Sequence, residues 1–166
     1  MRFKVLPRPA DSPDAVGEMQ AAVPLVPDGE TSCCARLMDR TDVGSQDRAR
    51  EWLTFLRALE LVEETEGRYR RLPHEADPER LREAFRDRVY LADDVLSVLS
   101  AADGPVGVDA VYERLDDRVP RWERLRRTDA DGVWRERVRR VLEWAVLLGL
   151  AERADGGYVG ESTTLP

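Results

Sequence analysis

Isoleucine and asparagine are absent from this chain of 166 residues, and Lys4 is its only lysine. A single histidine, His74, and two adjacent cysteines, Cys33 and Cys34, leave too few soft ligands for a histidine or thiolate metal site. Neighbouring cysteines bridge only through a distorted peptide, so the pair reads as two small buried hydrophobes on a helix. No stretch approaches the roughly 18 uninterrupted apolar residues of a membrane-spanning helix, and residues 1–8 are too short and mixed for a signal peptide. The expected location is therefore cytoplasmic, with no membrane partner. Catalytic patterns are missing as well: there is no glycine-rich phosphate loop, no His-Glu metal pair, and no serine or cysteine nucleophile spaced usefully from a histidine. Acid pairs such as Asp93-Asp94 and Asp116-Asp117 are explained by helix capping. The sequence points away from an enzyme and implies no cofactor.

What is present is charge, and it is unevenly distributed. The chain carries 26 basic and 33 acidic residues, a net charge of -7, with 36% of residues charged. Hydrophobic residues still make up 42%, including four tryptophans, which indicates a folded protein and not an acidic disordered chain. Nearly all positive charge is arginine. An Arg-, Ala-, Val- and Asp-rich composition follows from a GC-rich genome, and excess acid is the habit of proteins working in concentrated salt, so the composition suggests a halophilic origin. A GC-rich mesophile is the alternative; unfolding in low salt separates the two. Within residues 114–140, ten arginines face six acids, a local excess of four positive charges on a chain that is otherwise strongly negative.

The strongest organising feature is an internal echo. Residues 50–72 recur without a gap 89 positions later as residues 139–161, aligning Leu53 with Leu142, Leu61 with Leu150, Glu63 with Glu152, Gly67 with Gly156 and Tyr69 with Tyr158. Each copy reads as an amphipathic helix, a short strand, an acidic-glycine turn and a tyrosine-bearing return strand. Ahead of the first copy, residues 3–6 offer a short strand, Asp14 caps a helix through Val23, and Thr31 or Ser32 caps a second helix to Arg40. Ser45 caps the third, whose Ala49, Trp52, Leu53, Leu56 and Leu59 share one face. Residues 73–77 read as the boundary. Beyond them Asp77-Pro78 starts a helix that either continues past Ala92 or is restarted there by Asp93 or Asp94. A turn at residues 104–107, a helix from Val108, a long connection over 116–132 that includes Trp122, and a helix over 133–148 ended by Gly149 complete the second copy.

Helix, hairpin and tyrosine in this order, together with the segment LELVEETEGRYRRL at residues 59–72, resemble the winged helix-turn-helix family of bacterial and archaeal transcription regulators. The resemblance covers residues 14–72 and 78–160, and with the composition it suggests a tandem pair from a halophilic archaeon. It implies a mostly α protein with small β-hairpin wings, an α+β fold: a lead-in at 1–13, a first module at 14–73, a second at 74–160 and a tail at 161–166. It also implies binding of double-stranded DNA through the third helix and wing, in the manner of a transcriptional regulator.

In the first copy the candidate contacts are Ser45, Gln46, Arg48, Arg50 and Arg57 on the third helix and Arg68, Arg70 and Arg71 on the wing. In the second they are Arg121, Arg124, Arg126 and Arg127 in the connection and Arg135, Arg137, Arg139 and Arg140 on the helix. Arginine suits the role because its planar fork grips guanine or phosphate at two points, and the Gln46 amide can pair with adenine. Two other readings remain open: the arginines form an ordinary solvated face salted with acids, or the chain is a tandem interaction module that binds a protein partner or a second copy of itself within a transcription or chromosome-organising complex.

Overall fold

Prolines set the limits of the first helix, α1 (Asp14–Ala22): Pro13 is its N-cap, and Pro24 lies just beyond its extended C-cap, Val23. The computed structural model describes residues 3, 6–115 and 130–160. After α1 come β1 (Asp28–Gly29), α2 (Glu30–Arg40), α3 (Gln46–Ala58), β2 (Val62–Thr65), β3 (Arg68–Arg71) and α4 (Pro78–Arg88). They are followed by α5 (Ala92–Ala101), α6 (Val108–Arg114), α7 (Ala130–Leu147), β4 (Ala151–Ala154) and β5 (Gly157–Gly160). The fold is mostly α with small antiparallel sheets, an α+β architecture in two compact units, Met1–Val89 and Tyr90–Pro166.

In the first unit the three-residue and four-residue spacing of Ala49, Trp52, Leu53 and Leu56 buries one face of α3 completely, with Leu37, Cys33 and Cys34 of α2 against it. Each large apolar side chain withdrawn from water in this way contributes about 1.5–3 kcal/mol. The sheet has the order β1-β3-β2, with Tyr69 of β3 opposite Asp28 on one side and Glu64 on the other. Glu66 and Gly67 both take left-handed conformations, as a two-residue hairpin turn of this twist requires. Gln20 is the one buried polar side chain on α1. Its amide donates to the carbonyls of Leu61 (3.4 Å), Leu72 (3.4 Å) and His74 (2.9 Å), tying α1 to both ends of the hairpin.

The second unit repeats this plan with a first strand reduced to one bridge. Val106 and Tyr158 exchange both backbone hydrogen bonds at 2.9 Å, the counterpart of the β1–β3 pairing. Trp134, Val138, Val141, Leu142, Trp144, Ala145 and Leu148 are buried. The main helices of the two units end alike. Leu61 N donates to Leu56 O at 2.9 Å and Leu150 N to Ala145 O at 2.8 Å, with Glu60 and Gly149 in the left-handed region between (φ 62 and 81).

Several details differ from the sequence reading. Asp14 is the first residue of α1 and not its cap, which is Pro13. The expected strand at residues 3–6 contributes a single parallel bridge, Phe3 to Val89. The helix that starts at Pro78 does break: Val89 leaves helical geometry and α5 begins at Ala92, capped by neither Asp93 nor Asp94 but by Leu91 at φ 72. Gly29, not Thr31 or Ser32, is the N-cap of α2. Finally, the compact units divide after Val89, not at residues 73–77. Phe85 is buried, α4 packs on α3, Arg88 pairs with Glu60, and Phe3 N donates to Arg88 O at 2.7 Å, so α4 stays with the first unit. Residues 116–129, including Trp122, lie outside the described residues.

Candidate nucleic-acid interface

The turn between α2 and α3 is built by two hydroxyls. Thr41 at the C-cap of α2 donates to Leu37 O at 2.5 Å and accepts from Val43 N at 3.3 Å. Ser45 at the N-cap of α3 accepts from Arg48 N at 3.2 Å, as its position in sequence leads one to expect. Ser45 is therefore a fixed cap, and the first free side chain of α3 is Gln46, which is exposed. The outward stripe of the helix runs through Gln46, Asp47, Arg50, Thr54 and Arg57, because the opposite side is core.

Most of the cations on this stripe already have anionic neighbours. Arg50 lies 2.5 Å from Glu30 and 3.3 Å from Asp47, and Glu30 holds its guanidinium still more firmly protonated. Arg57 pairs with Glu64 of β2 at 3.5 Å and lies 5.3 Å above the Phe3 ring, a packing role at the base of the wing. On the wing itself Arg70 is bonded to Glu63 at 2.8 Å, and Arg71, half-buried, donates to Ala21 O at 3.3 Å. Arg68 is exposed at the turn with no ion pair among the described residues, though its charge helps lower the pKa of Asp28, after hydrogen bonds from Ser32 and Gly29. Arg48 is exposed too, but it points away from Arg50 and lines a groove beside α1.

The second unit shows the same economy. Arg135 pairs with Asp109 at 2.7 Å and lies 5.2 Å above Tyr112, while Arg137 stacks 4.6 Å from the centre of Trp134. Arg139 and Arg140 share Glu136, at 3.4 and 3.6 Å. Asp47 with Arg50 and Glu136 with Arg139 stand 89 positions apart as equivalent pairs, so the repeat extends to the electrostatics of the helix face. Arg121, Arg124, Arg126 and Arg127 fall outside the described residues.

The sequence reading allowed for a face salted with acids, and the structure shows which acid meets which arginine. Asp47, Glu63 and Glu136 lie within reach of the arginines at helical or cross-strand spacing, so their pairings follow from that rule. Those of Glu30 and Asp109 do not, since they meet Arg50 and Arg135 only through the tertiary fold. Cys33 and Cys34 are buried free thiols; burial first, then Asp28, pushes Cys33 up to about 11. Among the described residues no group of three His, Cys, Asp or Glu side chains gathers as a cation site, and no helix is long and apolar enough to cross a membrane.

The family model described as the halobacterial double winged helix domain matches residues 1–164, and the chain belongs to that family. No curated protein and no solved structure matches it.

Proposed function

From membership of the halobacterial double winged helix family, we propose that the chain is a DNA-binding transcriptional regulator of a salt-adapted cell, working in the cytoplasm. The reading rests chiefly on one arrangement: a capped third helix whose first exposed turn presents Gln46, and a wing whose turn presents Arg68, which has no ion pair among the described residues. Gln46 offers an amide for base edges in the major groove and Arg68 a cation for the backbone or minor groove. Arg50 and Arg139 would join them by exchanging exposed carboxylates for phosphates. Such surface pairs are worth only about 0–1 kcal/mol and yield readily.

Salt shapes this mechanism. At about 1 M ionic strength the Debye length is roughly 3 Å, so attraction at a distance is lost and contacts must be direct. A helix face close to neutral costs little under such conditions and suppresses non-specific binding.

The test is fluorescence anisotropy with sheared genomic duplexes across a salt series, comparing the parent chain with Gln46→Ala and Arg68→Ala. Specific binding that weakens about 5- to 150-fold in either variant supports the reading, in line with the 1–3 kcal/mol of a good base contact. No binding to any fragment from low to multimolar salt overturns it.

The pairing of Arg50 with Asp47 and of Arg139 with Glu136 favours a second reading, a tandem module whose neutral helix faces dock on a protein or on a second copy of the chain. Sedimentation of the chain alone, and of chain recovered from its own cells, distinguishes the two.

A further inference from the structure

Residues 19–27 carry no charge, in a chain of which 36% is charged. This stretch holds the end of α1 and the link Pro24-Leu25-Val26-Pro27 that leads into β1. Val23 beside the link is fully buried, but Leu25 remains 57% and Val26 75% exposed. With Met38 they are the exposed large hydrophobics among the described residues, and these two are adjacent. The link is held at both ends. Arg71 N donates to Pro24 O at 2.7 Å, Asp28 pairs with Tyr69 across the sheet, and the two prolines fix its backbone angles. A loop ordered in advance loses little entropy when a partner settles on it.

Two guanidiniums flank the link. Arg36 of α2 donates through Nε to Ala22 O at 3.0 Å, and Arg71 of β3 donates to Ala21 O at 3.3 Å, so both reach the end of α1. Neither forms an ion pair among the described residues, whereas Arg50, Arg57, Arg70, Arg135 and Arg139 all do. Arg71 Nε is also shielded from water and meets no acceptor among the described residues. A cation so placed has lost hydration without full compensation, and a carboxylate at its outer nitrogens would offset part of that loss. Asp28, at the far end of the link, is engaged within the chain: it accepts from Gly29 N at 2.8 Å and from Ser32 Oγ at 2.6 Å.

We propose that the link between α1 and β1 is a docking surface for an acidic segment of a partner protein, with carboxylates on Arg36 and Arg71 and apolar side chains over Leu25 and Val26. The partner engages side chains and not the sheet edge, because Pro24 and Pro27 have no N–H to offer an added strand. Duplex DNA would satisfy the arginines, but its phosphate backbone has little apolar surface to cover Leu25 and Val26. An anionic bilayer would gain two apolar side chains and repel a chain of net charge -7. The combination suits concentrated salt, where burial of apolar surface persists while attraction between distant charges is screened away. The surface shares no residue with the outer stripe of α3, so the assignment does not rest on what that stripe binds.

The probe is a displayed library of random short peptides, selected against the full chain in molar salt, with the enriched peptides then titrated by fluorescence anisotropy. Enriched peptides carry acidic residues beside large apolar ones. Leu25→Ser combined with Val26→Ser weakens their binding by about tenfold or more, a loss of roughly 1.4 kcal/mol, and so does Arg71→Gln. Leu25 and Val26 are exposed, so the double serine variant folds, and it decides the matter should Arg71→Gln loosen α1. The proposal is overturned if no peptide is enriched, if the enriched peptides are basic or lack apolar residues, or if the parent and the double serine variant bind them alike. Phosphatidylglycerol vesicles or a random duplex that bind more tightly than every peptide, and lose that binding on the serine substitutions, overturn it too by giving the surface to a lipid or a nucleic acid.

Discussion

Glu64 and Arg153 occupy the same position in the two hairpins, each directly across from a tyrosine, and they carry opposite charges. Each is nevertheless ion-paired to the long helix of its own unit: Glu64 to Arg57 of α3, Arg153 to Glu143 of α7. The duplicated fold retains a clamp between helix and wing while inverting its polarity. In the second unit the clamp is also tighter, because Glu143 accepts the Tyr158 hydroxyl at 2.5 Å as well.

Loss of the Glu143 charge therefore releases two partners at once. Glu143→Gln is expected to cost about 1–3 kcal/mol, the range for hydrogen bonds to a charged group that is mostly removed from water. Denaturant unfolding at fixed salt measures it. Tyr158→Phe, which removes one of the two bonds, costs less; an equal or larger loss in Tyr158→Phe contradicts the assignment.

Gly157 is demanded by proximity, not by its backbone angles. A Cβ at this position would stand 2.9 Å from the carbonyl carbon and oxygen of Val106, and neither backbone atom can turn aside. Gly157→Ala must open the Val106–Tyr158 bridge, at a cost of about 1–3 kcal/mol typical of overpacking. Amide exchange of Val106 and Tyr158 should accelerate in the variant. Unchanged exchange shows that the strand yields elsewhere.

Gln20 supports the first hairpin in a different way. Gln20→Leu keeps the volume but leaves the Leu61, Leu72 and His74 carbonyls without their shared donor, a loss of about 1–3 kcal/mol. A urea midpoint equal to the parent's would mean that water replaces the amide without cost.

The hairpins, the third helices and the left-handed turns were legible in the sequence because they depend on local rules. Apolar spacing marks the inner face of α3, Ser45 marks its start, and Glu66-Gly67 and Asp155-Gly156 mark the turns. The fate of α4 was not legible. Its periodicity predicts a helix from Pro78 but is silent about which unit it packs on, and this is decided by Phe3, Glu60 and Arg88, which are far apart in sequence. Leu91 was hidden for a related reason: a leucine in the left-handed region carries about 1–2 kcal/mol of strain that only its burial sustains. At the candidate interface the positions of the arginines were readable, whereas Glu30 and Asp109, which neutralise them, arrive through tertiary packing.

The thiol pair gives a prediction about pH. Because burial raises Cys33 to about 11 from a reference of 9.0, the folded protein holds its proton where the unfolded chain releases it. Its contribution is complete below about pH 9 and is lost as the pH rises through about 11, so stability declines across that window. Cys33→Ala should flatten the decline. Both buried thiols should resist iodoacetamide at pH 8 until denaturant is added; rapid labelling of the native protein at that pH contradicts their burial.

The acids on the helix faces give the sharpest test of whether those faces meet DNA. Asp47 and Glu136 each neutralise the arginine one turn further along, at equivalent places in the repeat. If phosphates replace them in the complex, the carboxylates compete with DNA, and Asp47→Asn together with Glu136→Gln should raise affinity. Removing two negative charges facing the duplex should also steepen the fall of log affinity with log salt, by up to about 0.9 per additional phosphate neutralised. A protein-docking face behaves differently. There the double substitution leaves unpaired cations at the interface and weakens association with the partner, while the DNA salt slope does not move. Anisotropy titrations at three or more salt concentrations supply both numbers, and an unchanged slope with unchanged affinity removes these two faces from the DNA contact.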